Sequence, residues 1–149
     1  FKQKTAYEIR NCDWSSDVCS SDLGTSAIHT HMTNTRLTDP EILELRYPVV
    51  LESFGIRPDS GGAGKNRGGD GIIRRIRFQR QMTAAILSNR RKIPPYGMAG
   101  GSPGKLGENR VERIGGGVEH LQGADKAEME PGDVFVIETP GGGGYGPVR

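Results

Sequence analysis

Apolar residues in this chain come in short runs, separated by glycine-dense polar stretches. The strongest run, Val134-Phe-Val-Ile-Glu138, is apolar on both faces and predicts a central strand. Val49–Ile56 predicts another strand, turned by Arg57-Pro-Asp-Ser-Gly-Gly62. From Ile72 to Phe78 the alternation is imperfect. It places Ile72, Arg74, Ile76 and Phe78 on one face and Ile73, Arg75 and Arg77 on the other, which suits a sheet with one wet face. Met82–Leu87 reads as a further strand, although its short apolar pattern also permits a helix. Arg110–Ile114 predicts an edge strand, broken by Gly115-Gly-Gly117, and Met129–Asp133 predicts a tight turn.

One helix start is present, Thr38-Asp-Pro-Glu41. Thr38 or Asp39 can cap, Pro40 suits the first turn, and Thr-x-x-Glu matches a capping box. The helix must be short, because Pro48 pushes Tyr47 towards extended geometry. Ile42, Leu43 and Leu45 are expected to bury one side of it. Ile93–Gly104, with its prolines and glycines, predicts an extended loop. The fold expected is mainly β with one short N-terminal helix, glycine-rich loops and a modest core.

Composition changes this picture at the N-terminus. Lys2–Ile9 and Asp13–Leu23 resemble the two constant halves of a translated sequencing-library adapter, with Arg10-Asn-Cys12 at the variable index between them. The alternative is a genuine polar arm. Residues 1–23 are therefore expected to be non-native and disordered, and are set aside as a tag would be. Cys12, Cys19 and Trp14 go with them, leaving a cysteine-free remainder that fits a reducing cytoplasm. All 23 glycines lie in that remainder, Gly24 to Arg149. An adapter joined to Gly24 implies a truncated reading frame, so residues 24–149 are expected to be part of a larger domain that leans on a partner. The net charge of the whole chain is +2, and it stays mildly positive without the first 23 residues. That balance does not argue for nucleic acid or a membrane surface. No apolar run approaches the roughly 20 residues of a membrane span.

Candidate chemistry is sparse. Gly64-Lys-Asn66 fails as a phosphate loop, because Asn66 stands where Ser or Thr is needed and Asp59 where glycine is needed. Arg67-Gly-Gly69 is a single triplet without interleaved aromatics, a weak signal for RNA. His29 and His31 would point the same way on a strand and could share a metal, with Asp39 as an oxygen ligand. The plainer alternative is a polar loop whose His, Asn34 and Arg36 hydrogen-bond backbone or an interface. Gly141, Gly142, Gly143 and Gly144 follow a buried strand. They could form an anion-binding nest of N–H groups, or let backbone pack where no side chain fits. No Ser/His/Asp or Cys/His arrangement is identifiable.

Taken together, His31-Met-Thr-Asn-Thr-Arg36, Thr38-Asp-Pro-Glu-Ile-Leu-Glu44, Arg46-Tyr-Pro48, Ser60-Gly-Gly-x-Gly-x-x-Arg-Gly-Gly-Asp-Gly71, Pro95-Tyr-Gly97 and Thr139-Pro-Gly-Gly-Gly-Gly-Tyr-Gly146 resemble the C-terminal part of the hydantoinase B/oxoprolinase family. The helix-start run looks closest to the ATP-dependent 5-oxoprolinase branch. The resemblance implies a cytoplasmic enzyme of glutathione metabolism that opens the lactam of 5-oxo-L-proline to L-glutamate while hydrolysing ATP. In the chemistry proposed for that family, phosphorylation of the amide oxygen makes a poor electrophile a good one, and water then attacks. It also implies an oligomer containing a hydantoinase A-like ATP-binding half, fused or separate, with ATP and a divalent metal in the full enzyme. Neither is expected on this fragment alone, whose family's metal motifs lie earlier. Other branches imply an N-methylhydantoinase or an acetone-carboxylase-type subunit. A non-catalytic assembly module is the reading from a different class. On the first reading His31, Asn34 and Arg36 are the catalytic candidates, and Arg90, Arg91 and Gly141–Gly144 would stabilise substrate or an anionic intermediate.

Overall fold

The computed structural model describes residues 24–27 and 37–148. One helix, α1 (Pro40–Arg46), precedes seven strands: β1 (Val49–Ile56), β2 (Ile72–Phe78), β3 (Met82–Leu87), β4 (Glu108–Glu112), β5 (Val118–Leu121), β6 (Ala124–Met129) and β7 (Val134–Glu138). The expected class, mainly β with one short helix and glycine-rich loops, holds.

Asp39 caps α1, accepting the Glu41 N–H at 3.0 Å. With Asp39 as cap, Glu41 sits one position too early to close the expected Thr38 capping box. Only Leu43 is buried on the helix. Ile42 and Leu45 are exposed, contrary to expectation. Seven residues make barely two turns, and a helix that short offers a single inward position to β1.

Five strands form an antiparallel sheet in the order β1-β2-β7-β4-β5, and β3 pairs with β6 in a separate two-stranded sheet. The predicted centrality of Val134–Glu138 is correct, since β7 lies between β2 and β4. The predicted edge strand is a correction. It begins earlier, as Glu108–Glu112, and is internal, because β5 covers its outer side. Only Leu121 of β5 is buried, so that strand shows no hydrophobic alternation to read. His120 lies on β5, opposite Arg110. Met82–Leu87 resolves as strand, and Gly132 supplies the positive φ in the turn before β7.

The register of β1 shifts between Leu51 and Ser53. Its apolar positions, Val49, Leu51, Phe54 and Ile56, change parity along the strand. The bulge absorbs that change, so all four stand opposite the inward residues Phe78, Ile76, Arg74 and Ile72. The core joins this sheet face to the β3–β6 pair and α1, through Leu43, Val49, Ile76, Phe78, Val111, Phe135 and Ile137 against Ile86, Ala127 and Met129.

On the opposite face, an ion-pair chain crosses the strands. Arg57 pairs with Glu138 at 2.8 Å, Glu138 with Arg110 at 2.5 Å, Arg110 with Glu112 at 3.1 Å and Glu112 with Arg75 at 2.7 Å. Arg75 continues to Glu52 at 3.3 Å, and Glu52 also meets Arg77. Val136 stands between Arg75 and Arg110 in the register and is fully buried. The arginine stems thus cover an outward-facing valine while their heads remain paired.

Candidate functional site

Beyond the ends of β2 and β7, the glycine segments 60–71, 95–107 and 139–146 pack backbone against backbone. The segment 141–146 runs through the middle. Gly141 N–H donates to Lys105 (3.2 Å), Gly142 to Gly69, Gly144 to Ser102 and Gly146 to Met98 (each 2.9 Å). Its carbonyls accept in return: Gly142 from Gly62 at 2.8 Å and Gly144 from Met98 at 2.9 Å. A Cβ on Gly141 would fall on the Ser60 carbonyl, and one on Gly143 on the Tyr96 carbonyl. These chains approach closer than any side chain permits, which is the physical reason for the glycines.

Donors predicted to form an anion nest are therefore spent. Gly141, Gly142 and Gly144 each already satisfy a carbonyl, and all three are buried. An anion would have to displace structural hydrogen bonds to use them. Gly61, Gly62 and Gly68 are committed likewise, to Asp70 Oδ1, Gly142 and Gly62. Those six N–H groups are not free to cradle a phosphate.

Asp70 locks this assembly. Its carboxylate accepts from Gly61 N–H at 2.8 Å, from Arg67 Nη2 at 2.9 Å and Nη1 at 3.2 Å, and from Ser60 Oγ at 3.4 Å. Ser60 is fully buried, and its Oγ accepts the Gly71 N–H at 2.8 Å. Burial pushes the Asp70 carboxyl upward, but the Gly61 N–H, the Arg67 guanidinium and, least, the Ser60 backbone N–H outweigh it and hold the group below its usual range. The same residue fastens the preceding chain: Asp70 N–H donates to Ser26 Oγ, and Ala27 N–H to the Asp70 carbonyl, each at 2.9 Å. Sequence reading missed Asp70, Ser60 and Arg67 as a working group. The available signal was one acid held between Gly69 and Gly71 in a motif otherwise rich in glycine.

Arg91 is drawn to a different cluster. Its Nε and Nη2 donate to Asn109 Oδ1 at 3.2 and 2.9 Å, and its Nη1 to the Asn89 carbonyl at 2.6 Å. Asn109 is buried and returns Nδ2 to Ser88 Oγ at 2.9 Å and to the Gln122 carbonyl at 3.2 Å. Arg90 adopts a positive φ, and its carbonyl accepts the Gly107 N–H at 3.0 Å. These arginines close the loop between β3 and β4. His29, His31, Asn34 and Arg36 lie outside the described residues. Among the described residues, no three His, Cys, Asp or Glu side chains gather as a metal site, and no helix is long and apolar enough to cross a membrane.

The sequence pattern of the Hydantoinase B/oxoprolinase family matches residues 7–148. The chain is 47% identical over 123 residues to 5-oxoprolinase 1 of Arabidopsis thaliana, covering 83% of this chain and 10% of that protein. Two solved structures share its fold. An acetone carboxylase in a nucleotide-free state superposes with TM-score 0.65 at 21% identity, over 84% of this chain and 21% of that one. An ATP-dependent caprolactamase from Pseudomonas jessenii superposes with TM-score 0.57 at 26% identity, over 73% and 20%. The chain spans about a tenth of the length of the first curated relatives it matches.

Proposed function

Because the chain belongs to the hydantoinase B/oxoprolinase family, we propose that it works as part of an ATP-dependent amidohydrolase that opens the lactam of 5-oxo-L-proline to L-glutamate in the cytoplasm. The observation that carries this reading is the likeness to a protein named 5-oxoprolinase over most of the chain. A caprolactamase among the structural neighbours supports the same substrate class, a cyclic amide.

The described geometry supports a division of labour. The glycine loops and the Asp70 lock make a rigid frame with few free donors. Nucleotide handling is assigned to a hydantoinase A-like partner half in the assembled oligomer. The residues assigned to the lactam are His31, Asn34 and Arg36, which follow in sequence the point where Ser26 and Ala27 are tied to Asp70. In this arrangement Gly141–Gly144 supply close approach, and Arg91 positions Asn109.

The spent N–H groups favour a second reading, in which these residues only assemble the enzyme. The two part in the full-length protein carrying this sequence. His31→Ala, Asn34→Ala and Arg36→Ala are expected to lower 5-oxoproline turnover by about 100-fold or more, with assembly by size-exclusion chromatography unchanged. Full turnover in all three, or loss of assembly in step with activity, would favour the scaffold. Turnover of a hydantoin or of caprolactam in place of 5-oxoproline would move the protein to another branch.

A further inference from the structure

Arg74 is the anomaly of the sheet. It points into the inner face between Phe54 of β1 and Ile137 of β7 and is 6% exposed. Its Nε is buried without a hydrogen-bond partner, the single such side-chain atom among the described residues. Burial pushes its guanidinium below the ordinary arginine range, with no acid among the described residues offsetting it. The other strand arginines differ, since Arg75, Arg77 and Arg110 on the outer face all meet carboxylates. An uncompensated buried charge is costly, and a sequence placing one there has a use for it.

Its flank is equally unfinished. Phe54 stands directly opposite Arg74, and Ile56 opposite Ile72. They share the face that elsewhere forms the core, yet are 48% and 54% exposed. The bulge that turns them inward thus leaves two apolar side chains half exposed, uncovered by the described residues. Among the described residues β1 is also the sheet edge, with its outer side unpaired.

We propose that Arg74, Phe54 and Ile56 form one docking surface for a polypeptide segment from outside this chain, which brings a carboxylate to Arg74 and apolar side chains to Phe54 and Ile56. The relatives' length leaves ample polypeptide to supply it, since the chain accounts for about a tenth of theirs. The uncompensated cation specifies the acid, and the two exposed apolar groups specify its neighbours. The inference concerns how the protein is put together and stands apart from the lactam reading.

The test uses the purified full-length protein, with its partner subunit if it has one. Hydroxyl-radical footprinting is expected to find Phe54 and Ile56 protected. A photo-crosslinking residue replacing Phe54 is expected to join a peptide containing Asp or Glu from outside this region. Arg74→Met is expected to lower the melting midpoint and expose Phe54 to labelling, with Arg74→Lys retaining part of the protection. Strong labelling of Phe54 and Ile56 in the wild-type protein would overturn the proposal. So would an unchanged or higher midpoint for Arg74→Met, the result for a buried charge with no mate. If Arg74→Met does not fold, the wild-type footprint and the crosslinked peptide still decide.

Discussion

Single carboxylates do much of the positioning here. Asp133 is 1% exposed and accepts the Ile114 N–H at 3.0 Å, the Glu130 N–H at 3.0 Å and Arg113 Nη1 at 2.7 Å. Burial raises its pKa, and the Glu130 and Ile114 N–H groups with Arg113 bring it below the usual value. Asp70 behaves alike. A folded pKa below the unfolded one, about 3.9, gives stabilisation that is complete above that value. It is lost as pH falls through the lowered folded value. Asp133→Asn is expected to cost about 2 kcal/mol at pH 7, by leaving a buried N–H facing an amide. In urea titrations the difference from wild type should shrink below pH 4. An equal difference at both pH values would mean the ionised form contributes nothing. The sequence showed Asp133 as a turn residue, which it is. Its grip on Ile114 joins positions 19 apart in sequence, which no local pattern encodes.

At the level of elements, the alternation of β2 was legible even where it contradicted simple hydrophobicity. Arg74 was placed with Ile72, Ile76 and Phe78, and it is buried with them. β4 was misjudged, because being internal or at an edge depends on which strand pairs beside it. β5 lacks the pattern that would have announced itself. The outer-face ion pairs belong to this scale too. Glu112 bridges Arg75 and Arg110 over Val136. Glu112→Gln is expected to cost about 1 kcal/mol in dilute buffer, and less at 1 M salt, where screening is short-ranged. A salt-independent loss would point to packing over Val136 instead of charge.

Across the whole molecule, the glycine segments join the two halves of the sequence. Segments 60–71 and 95–107 meet 139–146 through backbone hydrogen bonds. Gly141→Ala is expected to destabilise by ~3 kcal/mol or more, because its Cβ would strike a backbone carbonyl that cannot move aside. Gly115→Ala, with nothing within 4 Å of the added carbon, should be nearly neutral by thermal melting. Comparable losses at both sites would contradict the close-packed account.

What the sequence determined by itself was local: strand periods, the cap and proline limits of one helix, turns at glycine, and a family pattern carried by short motifs. Those follow from forces within a few residues of each other. Tertiary structure alone decided that the glycine N–H groups are consumed by distant carbonyls, that Asp70 is the clasp, and that Arg74 is buried without a counterion among the described residues. Each depends on which remote backbone arrives alongside, and a glycine free to bind an anion reads the same as a glycine pressed against another chain segment.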